Sequence, residues 1–277
     1  MRTAVVGHVE WVEFGRVDAV PRAGAIAHAT DAWEVPGGGG SVAAVQLARL
    51  SGACTFYTAL GDDPRGTWAR AELARLGLQV EGAARDEPTR RAIVFVDDAG
   101  ERTITTLGER LEPSSADPLL WHALGEVDAA FVTAGDPSAV REARRARVLV
   151  ATTRVLDLLD ESAVPLDAVV GSARDPAERY EPGRLVPPPG LVVLTEGRLG
   201  GRWETADGRR GRFDAVEPPG PIVDTYGAGD SFAGGLTYAL GAGMEVEEAV
   251  ALAARCGAWC VAGRGPYGNQ LNADDLD

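Results

Sequence analysis

The run from Asp224 to Asp230, DTYGAGD, sets two carboxylates at the two ends of a turn of small residues, and Ser231 to Leu236 continue it with helical character. Backbone N–H groups at a helix start, together with the helix dipole, attract a phosphate. Gly227 and Gly229 let the main chain approach such a group closely. Asp230, placed among those donors, is suited to take a proton from an attacking hydroxyl, which is a weak nucleophile until it is deprotonated. The same residues also fit a glycine-rich turn whose Asp merely caps a helix, and taken alone they leave both readings open.

Residue types exclude several other chemistries. All 27 Lys+Arg positions are Arg, so the chain has no lysine. That removes pyridoxal-phosphate and Schiff-base chemistry, a Walker-A phosphate loop and the strand lysine of protein kinases. Residues 229–232, GDSF, resemble a serine esterase signature. The three histidines, His8, His28 and His122, all precede it, however, and a hydrolase of that class needs a later one. Ser231 is therefore expected near a helix N-terminus. Residues 263–268, GRGPYG, match G-x-G-x-x-G formally, but they follow a helix and contain Pro266, which argues against a dinucleotide site. Cys54, Cys256 and Cys260 suit buried small hydrophobes better than a disulfide framework or a metal pair. With 41 acidic residues the formal charge is −14, which disfavours nucleic acid and anionic membranes as partners. Arg141, Arg144, Arg145 and Arg147 are expected on a solvated helix face. No apolar run reaches the ~18–20 residues of a membrane span, and the start of the chain reads as a strand rather than a signal peptide. A cytoplasmic protein is expected.

The elements that must position this chemistry follow from periodicity. Residues 3–7 and 9–14 read as short strands, and Gly37 to Gly40 precede a helix that stops at Gly52. A strand is expected from Cys54 to Leu60, a turn at 61–64, and a helix from Trp68 to Leu76 closed by Gly77. Residues 91–96 and 102–107 form a hairpin about Asp97 to Gly100. Short β-rich runs at 129–133, 148–151, 168–170 and 191–195 are spaced as in a parallel sheet with crossovers. A second hairpin (201–204 and 210–214), a strand at Ile222 and Val223, and helices over 230–241 and 246–261 complete the chain. Its 277 residues suit one large α/β domain.

Five segments, in order, resemble the signatures of the PfkB-type, ribokinase-like carbohydrate kinases. Pro36 to Leu50 (PGGGGSVAAVQLARL) resembles the N-terminal G-G-x-x-x-N-x-A-x-x-L-A-R-L. Ala59 to Gly66, followed by Leu73 to Gly77, is similar to V-G-D-D-x-x-G and L-x-x-x-G. Arg91 to Ile104 contains the D-x-x-G-E-R-T hairpin, Thr195 to Gly200 resembles T-x-G-x-x-G, and Asp224 to Asp230 resembles D-T-x-G-A-G-D. The resemblance covers nearly the whole chain. It implies a three-layer α/β/α sandwich of ribokinase type with a mostly parallel central sheet. Residues 1–277 would be one kinase domain carrying a small β lid formed from about 9–35 and 88–108. It further implies ATP- and Mg²⁺-dependent phosphorylation of a hydroxyl on a sugar, nucleoside or related alcohol. Asp230 would be the base, Gly227, Ala228 and Gly229 the anion hole, and Thr195, Gly197, Gly200 and Gly265 nucleotide contacts. Gly38 and Gly39 would contact substrate. Asp224 would sit beside a monovalent-cation (K⁺) loop, and a homodimer through the lid is expected.

Some positions depart from the pattern. Val42 stands where the family has a sugar-contacting Asn. Val12 stands where it has an Asp, and Glu10, on the same strand face, is the candidate replacement. Ser172 and Asp175 occupy the ends of the N-x-x-E motif and would order water around Mg²⁺. These changes point away from ribose itself. Trp11 and Trp33 are expected to be ordinary core or rim aromatics, and Arg91 a solvated charge. A sugar- or nucleoside-binding regulatory protein on the same fold is the alternative function.

Overall fold

The structure, a computed structural model, describes residues 1–276. Its centre is a nine-stranded sheet. In chain order the strands are β1 (Thr3–Val6), β4 (Cys54–Gly61), β5 (Leu78–Arg85), β8 (Ala129–Val132), β9 (Val148–Thr152), β10 (Ala168–Ser172), β11 (Leu191–Thr195), β12 (Gly201–Thr205) and β13 (Arg210–Phe213). Their spatial order is β13-β12-β11-β10-β9-β8-β1-β4-β5. All neighbours run parallel except the β11–β12–β13 meander at one edge. The central strands are short apolar runs because both faces are covered.

Alternation along β1 shows the three layers. Val5 faces a core that includes Val45 and Leu47 of α1 (Gly39–Ser51), Leu236 of α5 (Ala228–Gly241) and Val250 of α6 (Val246–Val261). Ala4 and Val6 face the opposite core, with Val140 of α3 (Pro137–Ala143) and Leu159 of α4 (Leu156–Ser162). This is the expected sandwich. No helix among the described residues is long and apolar enough to cross a membrane.

A second sheet joins β2 (Glu10–Arg16), β3 (Asp31–Gly37), β6 (Arg91–Val96) and β7 (Arg102–Leu107) in the order β3-β2-β6-β7. It is tied to the loop that leads into α5. Thr225 N–H donates to Gly100 O at 3.1 Å, Arg102 donates to Thr225 Oγ1 at 3.1 Å, and Arg16 donates to Val223 O at 3.0 Å.

Several local expectations need correction. Ile222 and Val223 form no strand: Val223 N–H donates to Val261 O, beyond any ladder. The helix expected from Trp68 starts a turn earlier, as α2 (Pro64–Arg75), because Asp63 caps it by accepting from Gly66 N–H at 2.7 Å. Strand β5 contains Gly82, Ala83 and Ala84 and lacks strong β-formers there, so pattern alone passes over it. Arg91 is no solvated charge: Nε and Nη2 both donate to Glu13, at 2.9 and 2.6 Å. Arg141, Arg145 and Arg147 are exposed, as expected of a solvated face, while Arg141 and Arg144 also hold the backbone carbonyls of Ser162 and Ala146. The three cysteines are buried and free, as expected.

Candidate active site

Ligands of open α/β sheets bind outside the carboxyl ends of the strands, and the chain's chemistry collects there. After β1 the chain passes Gly7 and His8 into Glu10 of β2, and α1 begins against this bend. A Cβ on Gly40 would fall 2.6 Å from His8 O, so only glycine lets α1 come this close. Gly38 caps α1 with φ 88°, the left-handed region that favours glycine, and its N–H donates to the Tyr226 hydroxyl at 2.9 Å.

Against the start of α1 also stands the first turn of α5. Gly227, at φ 83°, caps that helix. The N–H groups of Gly229 and Asp230 have no acceptor among the described residues, as expected of an open helix start. Gly229 faces open space, with nothing within 4 Å of the position a Cβ would take. Asp230 lies directly against α1: a Cβ on Gly39 would fall 2.7 Å from Asp230 Oδ1. Burial raises the Asp230 carboxyl to about 6, Glu178 and Glu10 add to the shift, and Arg102 and Arg154 oppose it. Ser231 is fully buried and accepts from Gln270 Nε2 at 2.9 Å, which suits a helix-start residue rather than a nucleophile.

The other residues singled out by sequence fall into groups. Glu10 is buried beside Arg90, 3.6 Å away, and burial raises its carboxyl despite the arginines nearby. Val42 is fully buried, with Cγ1 3.0 Å from the Cβ position of Gly227. It therefore supports the α5 turn from beneath and presents no face to a substrate. Asp224 is fully buried, and its two oxygens accept from Tyr226 N–H at 2.8 Å and Gly265 N–H at 3.2 Å. That carboxylate staples the turn before α5 to the loop after α6. Thr195 ends β11, and Gly197 and Gly200 close the tight turn behind it, with Gly200 N–H donating to Gly197 O at 3.0 Å. Next to Gly265, Arg264 lies 4.2 Å over the Trp33 ring and pairs with Asp31 at 2.7 Å. Trp33 stacks on Phe14, and Trp11 packs on Trp68, so both are rim and core aromatics.

Ser172 and Asp175 sit at the end of β10, but neither is the acid that acts most on Asp230. Asp175 Oδ1 accepts from Ala177 N–H at 2.9 Å, and Oδ2 accepts from Arg154 at 2.6 Å. Glu178, which sequence reading passed over, accepts from Ser172 N–H at 2.7 Å, also pairs with Arg154, and is the strongest charge raising Asp230. Spacing alone hid it, because a three-residue 3₁₀ turn at Pro176–Glu178 carries it back over Ser172.

Comparison with known proteins agrees with this geometry. The pfkB family carbohydrate kinase model matches residues 2–173 and 186–272. An ATP-dependent ribose-1-phosphate kinase of Halopiger xanaduensis is 29% identical over 93% of this chain and 91% of its own length. A fructokinase of Salmonella typhimurium is 28% identical over 86% of this chain and 91% of its own. The structure of Arabidopsis thaliana ribokinase complexed with ribose and ATP superposes with a TM-score of 0.79, at 19% identity, over 99% of this chain and 96% of that one. The motifs, the sandwich and the family match agree: the chain belongs to the pfkB family of carbohydrate kinases.

Proposed function

We propose that the protein transfers the γ-phosphoryl group of ATP to a hydroxyl of a small carbohydrate-type acceptor, with Asp230 as general base. The observation that carries this is the position of Asp230: half-buried, beside unpaired N–H groups at the start of α5, with its carboxyl raised to about 6. A base with that acidity is ionised at neutral pH and still basic enough to share a hydroxyl proton in the transition state. The acceptor oxygen forms a bond to the γ-phosphorus, the bond from that phosphorus to the β–γ bridging oxygen breaks, and the hydroxyl proton passes to Asp230. The products are ADP and a phosphate ester. The backbone N–H groups of the 227–229 turn stabilise charge on the transferring group, which needs positioning and electrostatics more than covalent help.

Thr195, Gly197, Gly200 and Gly265 line the strand-end turn and the post-α6 loop, where the nucleotide is placed in this reading. No group of three or more His, Cys, Asp or Glu side chains suited to a metal occurs among the described residues. That fits Mg²⁺ carried by ATP phosphates and water, with Ser172, Asp175 and Glu178 beside its hydration shell. When bound, the ion neutralises phosphate charge. Asp224 accepts one backbone N–H at each oxygen, which holds the loop and leaves a lone pair on each oxygen for a K⁺ beside it. The β2-β3-β6-β7 sheet covers the acceptor side and limits water, which would otherwise compete for the phosphoryl group. β7 is an exposed edge with Ile104 and Leu107 in solvent, a surface that suits pairing with a second copy.

The test is ATP-dependent phosphate-ester formation across sugars, nucleosides, sugar acids and sugar phosphates, with wild type and Asp230→Asn side by side. The variant is expected to lose about 10²–10⁴-fold in kcat. Equal rates would remove Asp230 as the base. Binding of a sugar without transfer by the wild type would instead favour a binding protein on this fold.

A further inference from the structure

Where β2 and β6 begin and β7 ends, near the glycine turn, two arginines leave the Nε–H without a hydrogen-bond acceptor among the described residues. Arg90 immediately precedes β6, which pairs in parallel with β2 from Trp11 opposite Arg91. This register sets Arg90 beside Glu10, but Nε to Oε2 is 3.6 Å, beyond hydrogen-bond range. Arg110 follows β7 after the turn at Gly108, whose Cβ position lies 4.0 Å from Arg90 Cα. Its nearest acid, Glu112, is 4.0 Å away. The Nε–H of both arginines is buried without a hydrogen-bond partner among the described residues. Neighbouring arginines differ: Arg91 donates twice to Glu13, and Arg85 reaches Asp117 with two bonds of 2.8 Å.

An arginine cannot relieve such a deficit by losing its proton, and a buried donor without an acceptor costs free energy. Two adjacent guanidiniums in that state form a preorganised anion site. Their position connects them to the chemistry. Glu10 Cγ and His8 lie against Gly38, and Asp230 Oδ1 lies against the neighbouring Gly39, with His8 Cε1 3.9 Å from the same Cβ position. Arg110, Arg90 and Arg154 also bear on His8, which burial foremost, and then these charges, hold neutral, down to about 3. Arg154 is already occupied by Asp175 and Glu178, leaving Arg90 and Arg110.

We infer that the acceptor is itself a small sugar phosphate, its phosphate held by Arg90 and Arg110 while a free hydroxyl faces Asp230. A phosphate, with three terminal oxygens, matches two guanidinium forks better than a carboxylate with two. Resting on the kinase reading above, the reaction becomes ATP plus sugar monophosphate giving ADP, sugar bisphosphate and one proton, the proton leaving through Asp230. The step supplying the substrate is then one that yields a phosphorylated sugar.

The experiment compares acceptors that differ only in the anionic group: ribose against ribose 5-phosphate, fructose against fructose 6-phosphate, and glucose against glucuronate. Wild type is expected to favour the phosphorylated member of a pair at least about 100-fold in kcat/KM. Arg110→Gln and Arg90→Gln should each cut that ratio about tenfold or more, mainly through KM, the scale of a charged hydrogen bond. Arg110→Lys should restore part of it. Thermal unfolding of each variant separates misfolding from loss of the anion site. Preference for neutral sugars, for glucuronate, or a ratio unmoved by both variants would overturn the proposal. If no acceptor is phosphorylated, the kinase reading fails on its own. Calorimetric binding of ribose 5-phosphate then decides the anion site, and affinity equal in wild type and Arg110→Gln overturns it.

Discussion

One methyl group on Gly39 should separate catalysis from stability. In Gly39→Ala the new Cβ lands 2.7 Å from Asp230 Oδ1, against an ordinary contact of at least 3.4 Å, so the carboxylate must retreat by about 0.7 Å. The moving atom is the free end of a side chain, so the fold can absorb it. The lost glycine entropy in α1 even returns up to ~1 kcal/mol. The base, however, is displaced from the acceptor oxygen, and a shift near 1 Å costs about 10²-fold in rate. Gly40→Ala makes the opposite case. Its Cβ would fall 2.6 Å from His8 O and 2.9 Å from His8 N. Only the backbone can yield there, at about 1–3 kcal/mol of overpacking strain. Gly125→Ala, with open space around its Cβ position, is the control. ADP release under saturating substrates gives kcat, and urea unfolding gives stability. Gly39→Ala should lose about 10²-fold in kcat within ~1 kcal/mol of wild-type stability. A rate within threefold of wild type, or a stability loss matching Gly40→Ala, would refute the placement of Asp230 against α1.

Further outcomes follow from charge. Asp230 must be ionised to accept a proton, so kcat/KM should rise with pH through about 6 and then level off. Glu178→Gln removes the strongest charge raising that carboxyl, so the midpoint should move to lower pH; an unmoved or higher midpoint in the pH–rate profile counts against the pairing. His8 is held neutral, from 6.5 down to about 3, by burial and then by Arg110, Arg90 and Arg154. The unfolded chain therefore binds more protons between those values, and stability should fall as pH drops from 6.5 toward 3. His8→Gln should flatten that part of the urea-unfolding pH profile, and an equally steep profile would show that other groups set it.

Much of the fold was legible from local pattern. Apolar runs at β1, β8, β9, β10 and β11, spaced by helix-length segments, indicate a buried parallel sheet because both faces of each strand need covering. The Asp97–Gly100 turn marks the β6–β7 hairpin for the same local reason. Strand β5 escaped because Gly82 to Ala84 lack side chains that favour a pleat, and only β4 beside it makes the segment a strand. The apparent strand at Ile222 and Val223 failed for the converse reason, having suitable residues and no ladder partner.

For the site, the sequence by itself determined the composition of the glycine turn and placed beside it the carboxylate proposed as base. A glycine-rich helix start followed by Asp230 carries its geometry locally, through positive φ at Gly227 and free N–H groups. Tertiary structure alone decided what surrounds that base. It set Val42 beneath Gly227 instead of facing a substrate, gave Asp224 to two backbone N–H groups, and brought Glu178 to act on Asp230 from more than 50 residues away. It also left the Nε–H groups of Arg90 and Arg110 without a hydrogen-bond acceptor among the described residues while supplying one to Arg91. Such properties depend on which charges share a desolvated space, and chain spacing carries no record of that until the strands and turns have packed.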